Sequence, residues 1–201
     1  MEFKEPNMEE TLKTERLVLR QPVITDAARM SQLLTDMDIV RMTCTIPYPY
    51  VPLAAEFWIM QHAACRRLGT SYGYAITKDG GEIMGVMDLF TNADGDREVG
   101  YWLGRPYWGN GYITEAAQAV IEEGFRTFDI DYIDAGYFYD NPASGRVLEK
   151  LGFERKDMGS NLYSVARGER AAGIELRLPR PATIKPIITE GQDARQAAST
   201  A

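Results

Sequence analysis

Glu98-Val-Gly-Tyr-Trp-Leu-Gly-Arg-Pro-Tyr-Trp-Gly-Asn-Gly-Tyr-Ile-Thr-Glu-Ala-Ala117 decides how this chain is read. Residues 98–103 have the aromatic and β-branched composition of a strand, interrupted by Gly100, which marks a bulge or a close backbone approach. Gly109 and Gly111 flank Asn110, and a helix begins directly afterwards. Ala117, Val120, Ile121, Gly124, Phe125 and Phe128 recur at the spacing of one helical face, with Glu115, Gln118, Glu122, Arg126 and Asp129 on the other. Strand, glycine turn and helix in succession suit an anion. The first helical amides lack internal partners, the macrodipole is positive there, and glycines let a phosphate approach the main chain. On these residues alone, Gly109, Asn110, Gly111 and Tyr112 are either a phosphate cradle or only a tight connection into the helix. The dinucleotide fingerprint Gly-x-Gly-x-x-Gly is not completed, because Thr114 and Glu115 follow. No Gly-Lys-Ser/Thr occurs, which excludes a P-loop.

Upstream, residues 72–77 and 83–90 read as strands joined by Lys-Asp-Gly-Gly, a hairpin signal. Further back lie a helix at 53–68 with Phe57, Trp58, Met60 and Ala64, and a loop at 43–52 that Pro47, Pro49 and Pro52 keep irregular. A helix at 25–36 is expected with Thr25 as its N-cap, and a short strand at 16–20. Residues 1–13 are polar and patternless, and read as a tail. Downstream come a strand at 132–139 and a helix opened by Asn141 as N-cap with Pro142 in its first turn. Gly152 stands at the C-cap. Strands at 153–166 and 173–178 follow, and residues 181–201 read as a disordered tail. The expected order is strand, two helices, three antiparallel strands, helix, strand, helix, two strands. That is an α/β (α+β) domain over residues 14–180 with a mixed sheet.

The chain has 201 residues, a formal net charge of −7, 45% apolar and 25% charged residues. The acidic balance argues against a nucleic-acid partner and mildly favours cationic acceptors. Two cysteines, Cys44 and Cys65, imply neither a disulfide framework nor a four-cysteine zinc site, and no metal is expected. There is no apolar run long enough to span a membrane and no signal-peptide pattern, so the expectation is a cytoplasmic protein.

Taken together, Thr14-Glu-Arg-Leu-Val-Leu-Arg20, Ile46-Pro-x-Pro-Tyr50, Glu98-Val-Gly-Tyr-Trp-Leu103, Tyr107-Trp-Gly-Asn-Gly-Tyr-Ile-Thr-Glu-Ala116 and Asn141-x-x-Ser144-x-x-Val-Leu-Glu-Lys-Leu-Gly-Phe153 resemble the Gcn5-related N-acetyltransferase (GNAT) superfamily. Within it they are similar to the RimJ/RimL-like branch of ribosomal-protein acetyltransferases. Each motif is weak alone; five in this order over residues 14–178 are specific. The resemblance implies a mostly antiparallel twisted sheet of about seven strands with helices on both faces. It also implies that the bulged fourth strand splays from the fifth to admit a pantetheine arm. Acetyl-CoA is then the co-substrate and an amine the acceptor, and a homodimer is common in the family. The family's phosphate-loop pattern, Gln/Arg-x-x-Gly-x-Gly/Ala, places Gly109 and Gly111 correctly, but its first position is Pro106, with Arg105 one residue early.

By the same resemblance Tyr101, Trp102 and Leu103 face the arm and thioester. Trp108, Gly109, Asn110, Gly111, Tyr112, Ile113 and Thr114 take the pyrophosphate. Amide formation needs a base for the ammonium and a donor for the departing sulfur. Glu98 is the candidate base, unless it is a solvent-facing carboxylate; Asp88 is the second. The sole histidine, His62, reads as part of the core or acceptor wall. Many relatives carry a tyrosine acid seven residues after the equivalent of Asn141, where this chain has Leu148. The RimJ/RimL-like substitute is Ser144, and Tyr139 is a nearby hydroxyl. Asn141 is either a cofactor contact or simply a helix cap. Glu115 reads as structural, because facing a pyrophosphate it would repel it. Trp58, Tyr48 and Tyr50 are either acceptor walls or core. A non-catalytic acyl-CoA-binding module is the alternative function.

Overall fold

The computed structural model describes residues 7–184. Within them, one sheet takes the order β1-β2-β3-β4-β5-β6-β8-β7. Its strands are β1 (Thr11–Lys13), β2 (Val18–Arg20), β3 (Ser71–Thr77), β4 (Ile83–Thr91), β5 (Arg97–Leu103), β6 (Tyr132–Phe138), β7 (Glu154–Ser164) and β8 (Glu169–Pro179). Every neighbouring pair is antiparallel except β5 and β6, which run parallel because a helix returns the chain between them. The helices are α1 (Ala27–Leu33), α2 (Met37–Val40), α3 (Pro52–Arg67), α4 (Tyr112–Thr127) and α5 (Pro142–Lys150).

Strand alternation sorts the apolar side chains into two cores. On one face Ala116, Val120 and Phe125 of α4 and Leu148 of α5 pack on Tyr72, Met87, Leu89 and Val99. On the other, Met30, Leu34, Ala55 and Ile59 from the α1–α3 segment pack on Ala75, Val86 and Trp102. Burying one such large side chain contributes about 1.5–3 kcal/mol. The helical glycine at 124 is needed for close approach: a Cβ there would stand 2.6 Å from Leu89 Cδ2, so α4 rests directly on β4.

β5 and β6 share only two rungs, Glu98↔Asp134 and Val99↔Ala135, and then part. Beyond that fork, β5 pairs with β4 alone and β6 with β8 alone. The splay is therefore as expected, but the bulge is not in the β4–β5 ladder, whose register runs unbroken from Gly85↔Leu103 to Thr91↔Arg97. Gly100 is instead a close approach: an added Cβ would lie 3.2 Å from the Phe90 ring.

Other differences have local causes. Residues 11–13, read as tail, form β1 by pairing with β2, and Met8 is buried in the α4-side core. The sheet thus has eight strands where about seven were expected. Thr25 caps nothing; it lies inside a 3-10 turn, Ile24–Asp26, where Asp26 accepts the Val23 amide (2.8 Å) and is forked by Arg20 (2.8 Å to each oxygen). The helix expected at 25–36 ends at Leu33, and α2 follows it with Asp36 as N-cap. Pro181–Ile184 of the expected C-terminal tail line a cavity with α4, and Ile184 packs against the core. The rest of that tail, 185–201, lies outside the described residues, as do 1–6. Among the described residues no helix is long and apolar enough to cross a membrane.

Candidate active site

The loop before α4 starts from two left-handed residues, Gly109 (φ 77°) and Gly111 (φ 76°), conformations that side chains disfavour. Nothing lies within 4 Å of a Cβ added at Gly109, so its outer side is open. Asn110 braces the loop from within, its Nδ2 donating to the Tyr107 (3.1 Å) and Trp108 (3.0 Å) carbonyls. Among the described residues, the amides of Gly109 and Gly111 donate to no protein acceptor. Free amides at a helix N-terminus, beside an open glycine, fit a pyrophosphate.

Side chains around this cradle divide by role. Tyr112, Ile113, Trp102 and Leu103 are at most 9% exposed, with side chains in the two cores, so at the fork only their main chain is available. Trp108 is 44% exposed, its Nε1 donating to the Leu103 carbonyl (2.7 Å). Thr114 lies in the first turn of α4. Glu115 is structural, as read from the sequence: it accepts Thr14 Oγ1, the Arg16 amide (2.8 Å) and Arg16 Nε (2.7 Å). Those bonds outweigh burial and hold its carboxyl below the usual range.

Glu98 and, through Tyr101, Ser144 lie on opposite faces of β5. Glu98 sits on the last paired rungs, on the sheet face that carries Trp102. It lines a cavity of about 270 Å³ with Asn92, Asp134, Gly136, Lys156 and Glu175. Burial pushes its carboxyl above the ordinary value; the Asn92 amide (3.3 Å) opposes that, while Asp134 and Glu175 add to it. Asp134 is itself satisfied by Arg177 (2.7 and 2.8 Å) and Lys156 (2.9 Å), which hold it low against burial. Three residues along β5, Tyr101 points to the other face, where its hydroxyl meets Ser144 Oγ at 2.8 Å. Burial pushes the Tyr101 phenol up to about 12, with the Ser144 bond acting the opposite way. Asn141 is the N-cap of α5, its Oδ1 accepting the Ser144 amide (3.3 Å), so the hydroxyl of Ser144 stands in the first helical turn.

Other candidates are placed elsewhere. Asp88 accepts Ser71 Oγ (2.9 Å), the Tyr72 amide (3.1 Å) and His62 Nε2 (3.0 Å), so it is occupied in holding β3 and α3 together. His62 stacks on Trp58 at 3.7 Å, and Tyr50 is 7% exposed in the core. Tyr48 and Tyr139 are exposed. Two features were missed in the sequence. One is the Tyr101–Ser144 bond; the alternation of residues 98–103, which sends Tyr101 to the face opposite Glu98, was the available signal. The other is a clasp in which Arg167 forks Asp140 (2.9 and 3.0 Å) and Arg41 adds a third bond (3.2 Å), tying the β7–β8 turn and the end of α2 beside Asn141. No local pattern marks that clasp. Among the described residues no His/Cys/Asp/Glu group could hold a metal ion.

The chain is similar in sequence and in fold to known acetyltransferases. The chain is 29% identical over 161 residues to the uncharacterized N-acetyltransferase p20 of Bacillus licheniformis, covering 79% of this chain and 90% of that one. Among solved structures it is similar to RimL, a ribosomal L7/L12 alpha-N-protein acetyltransferase in complex with coenzyme A. That match has a TM-score of 0.73 and 18% identity, over 85% of this chain and 98% of RimL. The microcin C7 self-immunity acetyltransferase MccE, in complex with acetyl-CoA and AMP, also superposes with a TM-score of 0.73, at 16% identity over 83% of this chain and 94% of MccE. The model of the acetyltransferase (GNAT) domain matches residues 16–154, and the chain belongs to that family.

Proposed function

We propose that this acetyltransferase moves the acetyl group of acetyl-CoA to a primary amine by direct attack in a ternary complex, with Glu98 as base and Ser144 as donor to the departing sulfur. The observation that carries this reading is the fork itself. Beside it stand a half-buried carboxylate with a raised pKa on one face of β5 and, bonded to Tyr101 on the other, a hydroxyl at a helix N-terminus, while the loop before α4 carries free amides.

The residues act in a definite order. Gly109 and Gly111 anchor the phosphates by main-chain amides and Asn110 keeps that loop in shape. The arm then lies between the parted strands, which fixes amine and thioester in one place and removes much of the entropic barrier. Glu98 takes the ammonium proton on the face of the 270 Å³ cavity, freeing the nitrogen lone pair to bond to the acyl carbon. As the carbon–sulfur bond breaks, the nitrogen's second proton passes to the departing sulfur, which leaves as the thiol. The Ser144 hydroxyl donates a hydrogen bond to that sulfur while its charge develops. Either hydroxyl of the 2.8 Å Tyr101–Ser144 pair can donate; in this mechanism Tyr101 takes the donor role, which leaves the serine proton for the sulfur. The α5 N-terminus adds its dipole to the stabilisation of the thiolate.

RimL is a ribosomal L7/L12 alpha-N-protein acetyltransferase, and a protein N-terminus, a lysine and a small amine are the acceptor classes this reading admits. Homodimerisation in solution and a cytoplasmic location are parts of the same proposal; sedimentation of the purified protein tests the first. The deciding experiment measures acetyl-CoA-dependent thiol release against a panel of peptide N-termini, lysine peptides and small amines. Acceptor-dependent release by the wild-type protein, lost in Glu98→Gln, is expected. Tight acetyl-CoA binding with no release for any acceptor would leave a non-catalytic acyl-CoA module.

A further inference from the structure

Glu115 presents a carboxylate in the first turn of α4, beside a loop whose chemistry suits an anion. Its surroundings give it another task. Four donors converge on it, all from the turn between β1 and β2: Thr14 Oγ1, the Arg16 amide, Arg16 Nε and Arg16 Nη2 (2.6 Å). Arg16 extends the connection, its Nη1 donating to the Asn110 carbonyl at 3.0 Å. All three guanidinium nitrogens are thus engaged within the protein. The Arg16 guanidinium also lies 5.0 Å from the centre of the Tyr112 ring, which keeps it against the helix start.

The consequence follows from the planarity of the peptide bond. In a trans peptide the carbonyl and the next N–H point in opposite directions. With Arg16 holding the Asn110 carbonyl on its own side, the Gly111 amide is directed away from Arg16 and into the cradle. Asn110 Nδ2, bonded to the Trp108 carbonyl, does the same for the Gly109 amide. Both glycines sit at positive φ, where several peptide orientations are accessible, so the loop needs an external brace.

We propose that Arg16 and Glu115 form a strut that aims the Gly109 and Gly111 amides at the cofactor's pyrophosphate. They are positioning residues: Glu115 anchors Arg16, and Arg16 orients the peptide that binds. The inference rests on the assignment of the cradle to the phosphates, and it explains why the Thr14-x-Arg16 segment docks on a loop far along the chain.

Titration calorimetry with CoA and with pantetheine, which lacks the pyrophosphate, tests it. Charge alone and the strut predict opposite signs for Glu115→Gln. Removing a negative charge near a bound pyrophosphate tightens CoA binding, whereas releasing Arg16 weakens it. The expected result is CoA affinity lower by about tenfold or more, with pantetheine affinity unchanged. CoA affinity that is unchanged or higher overturns the proposal, as does an equal loss for pantetheine, which marks a general disturbance of the fold. Arg16→Lys is the second variant: it retains the cation but cannot bond Glu115 and the Asn110 carbonyl together. Failure of lysine to restore binding lost in Arg16→Ala is expected. Full restoration shows that Arg16 acts as a simple charge and refutes the strut. Loss of CoA affinity in Gly109→Val checks the cradle separately.

Discussion

The two faces of the β5–β6 fork are built differently. On the side proposed for the cofactor, the groups are main chain: a short glycine turn, free amides and a helix end, contributed by consecutive residues 109–114 and braced by Asn110, Arg16 and Glu115. On the side proposed for the acceptor, the groups are side chains drawn from remote segments. Asn92, Glu98, Asp134, Lys156 and Glu175 come together only because β5, β6, β8 and β7 lie side by side. A main-chain site binds a constant group, the diphosphate, by a fixed geometry. A side-chain site can be altered one residue at a time without moving the strands, which suits a variable acceptor.

Substitutions test this division, beginning with the largest effect. Gly109→Val forces a β-branched residue into φ 77° and fills the open side of the cradle, so CoA affinity should fall by about a hundredfold or more. With no neighbour within 4 Å to clash, only the strain of a β-branched residue at positive φ remains, about 1–3 kcal/mol. The melting temperature should therefore fall by a few degrees while CoA affinity falls much further; calorimetry and thermal unfolding read the two effects apart. A variant that binds CoA normally would break the main-chain account.

Glu98→Gln comes next, with turnover lower by about 10²–10⁴-fold and acetyl-CoA affinity retained. In the wild-type protein the acidic limb of the turnover profile should lie above the ordinary carboxylate range. Burial raises the Glu98 pKa, and the base works only when deprotonated, so activity rises as pH climbs through that raised value. Loss of that limb in the variant confirms the assignment; a persisting limb assigns it to another group. The same shift acts on stability in the opposite sense. A carboxyl with a raised folded pKa stabilises the fold below its unfolded pKa, and that contribution is lost as pH rises through the folded one.

Tyr101→Phe and Ser144→Ala should each lower turnover by about tenfold, the order expected for one polar contact to a reacting atom, with binding unchanged. If they act as one unit, the double variant should be no slower than the worse single one; additive losses would separate them. The smallest effect on catalysis belongs to Asp88→Ala. It should leave turnover intact and reduce stability by about 1–3 kcal/mol, because Ser71 and His62 lose their partner. A large drop in turnover would return Asp88 to the list of bases.

Legibility followed the same division. The hairpin after β3, the strand–glycine–helix unit, the caps Asn141 and Gly152, and the structural role of Glu115 were readable because each depends on a few adjacent residues. β1 was missed since its three residues carry no pattern and become a strand only by pairing with β2. Thr25 looked like a cap because Thr precedes an apolar helical run, but Asp26 and Arg20 impose a 3-10 turn first. Asp88 remained a candidate base until Ser71, Tyr72 and His62 were seen to occupy it. Gly100 read as a bulge or a close approach, and only the Phe90 ring across the ladder decides for the approach.

The sequence alone settled the local conformations, since hydrophobic spacing, glycine and capping residues act over a few bonds. From them came the α/β element order from β3 onward and the glycine turn that opens α4. Only the tertiary structure decided which groups face one another. The parting of β5 and β6 after two rungs, the opposed faces of Glu98 and Ser144, the Tyr101–Ser144 bond and the strut from Arg16 all join residues distant along the chain. Such contacts depend on how strands order themselves in a sheet, and no short stretch of sequence encodes that.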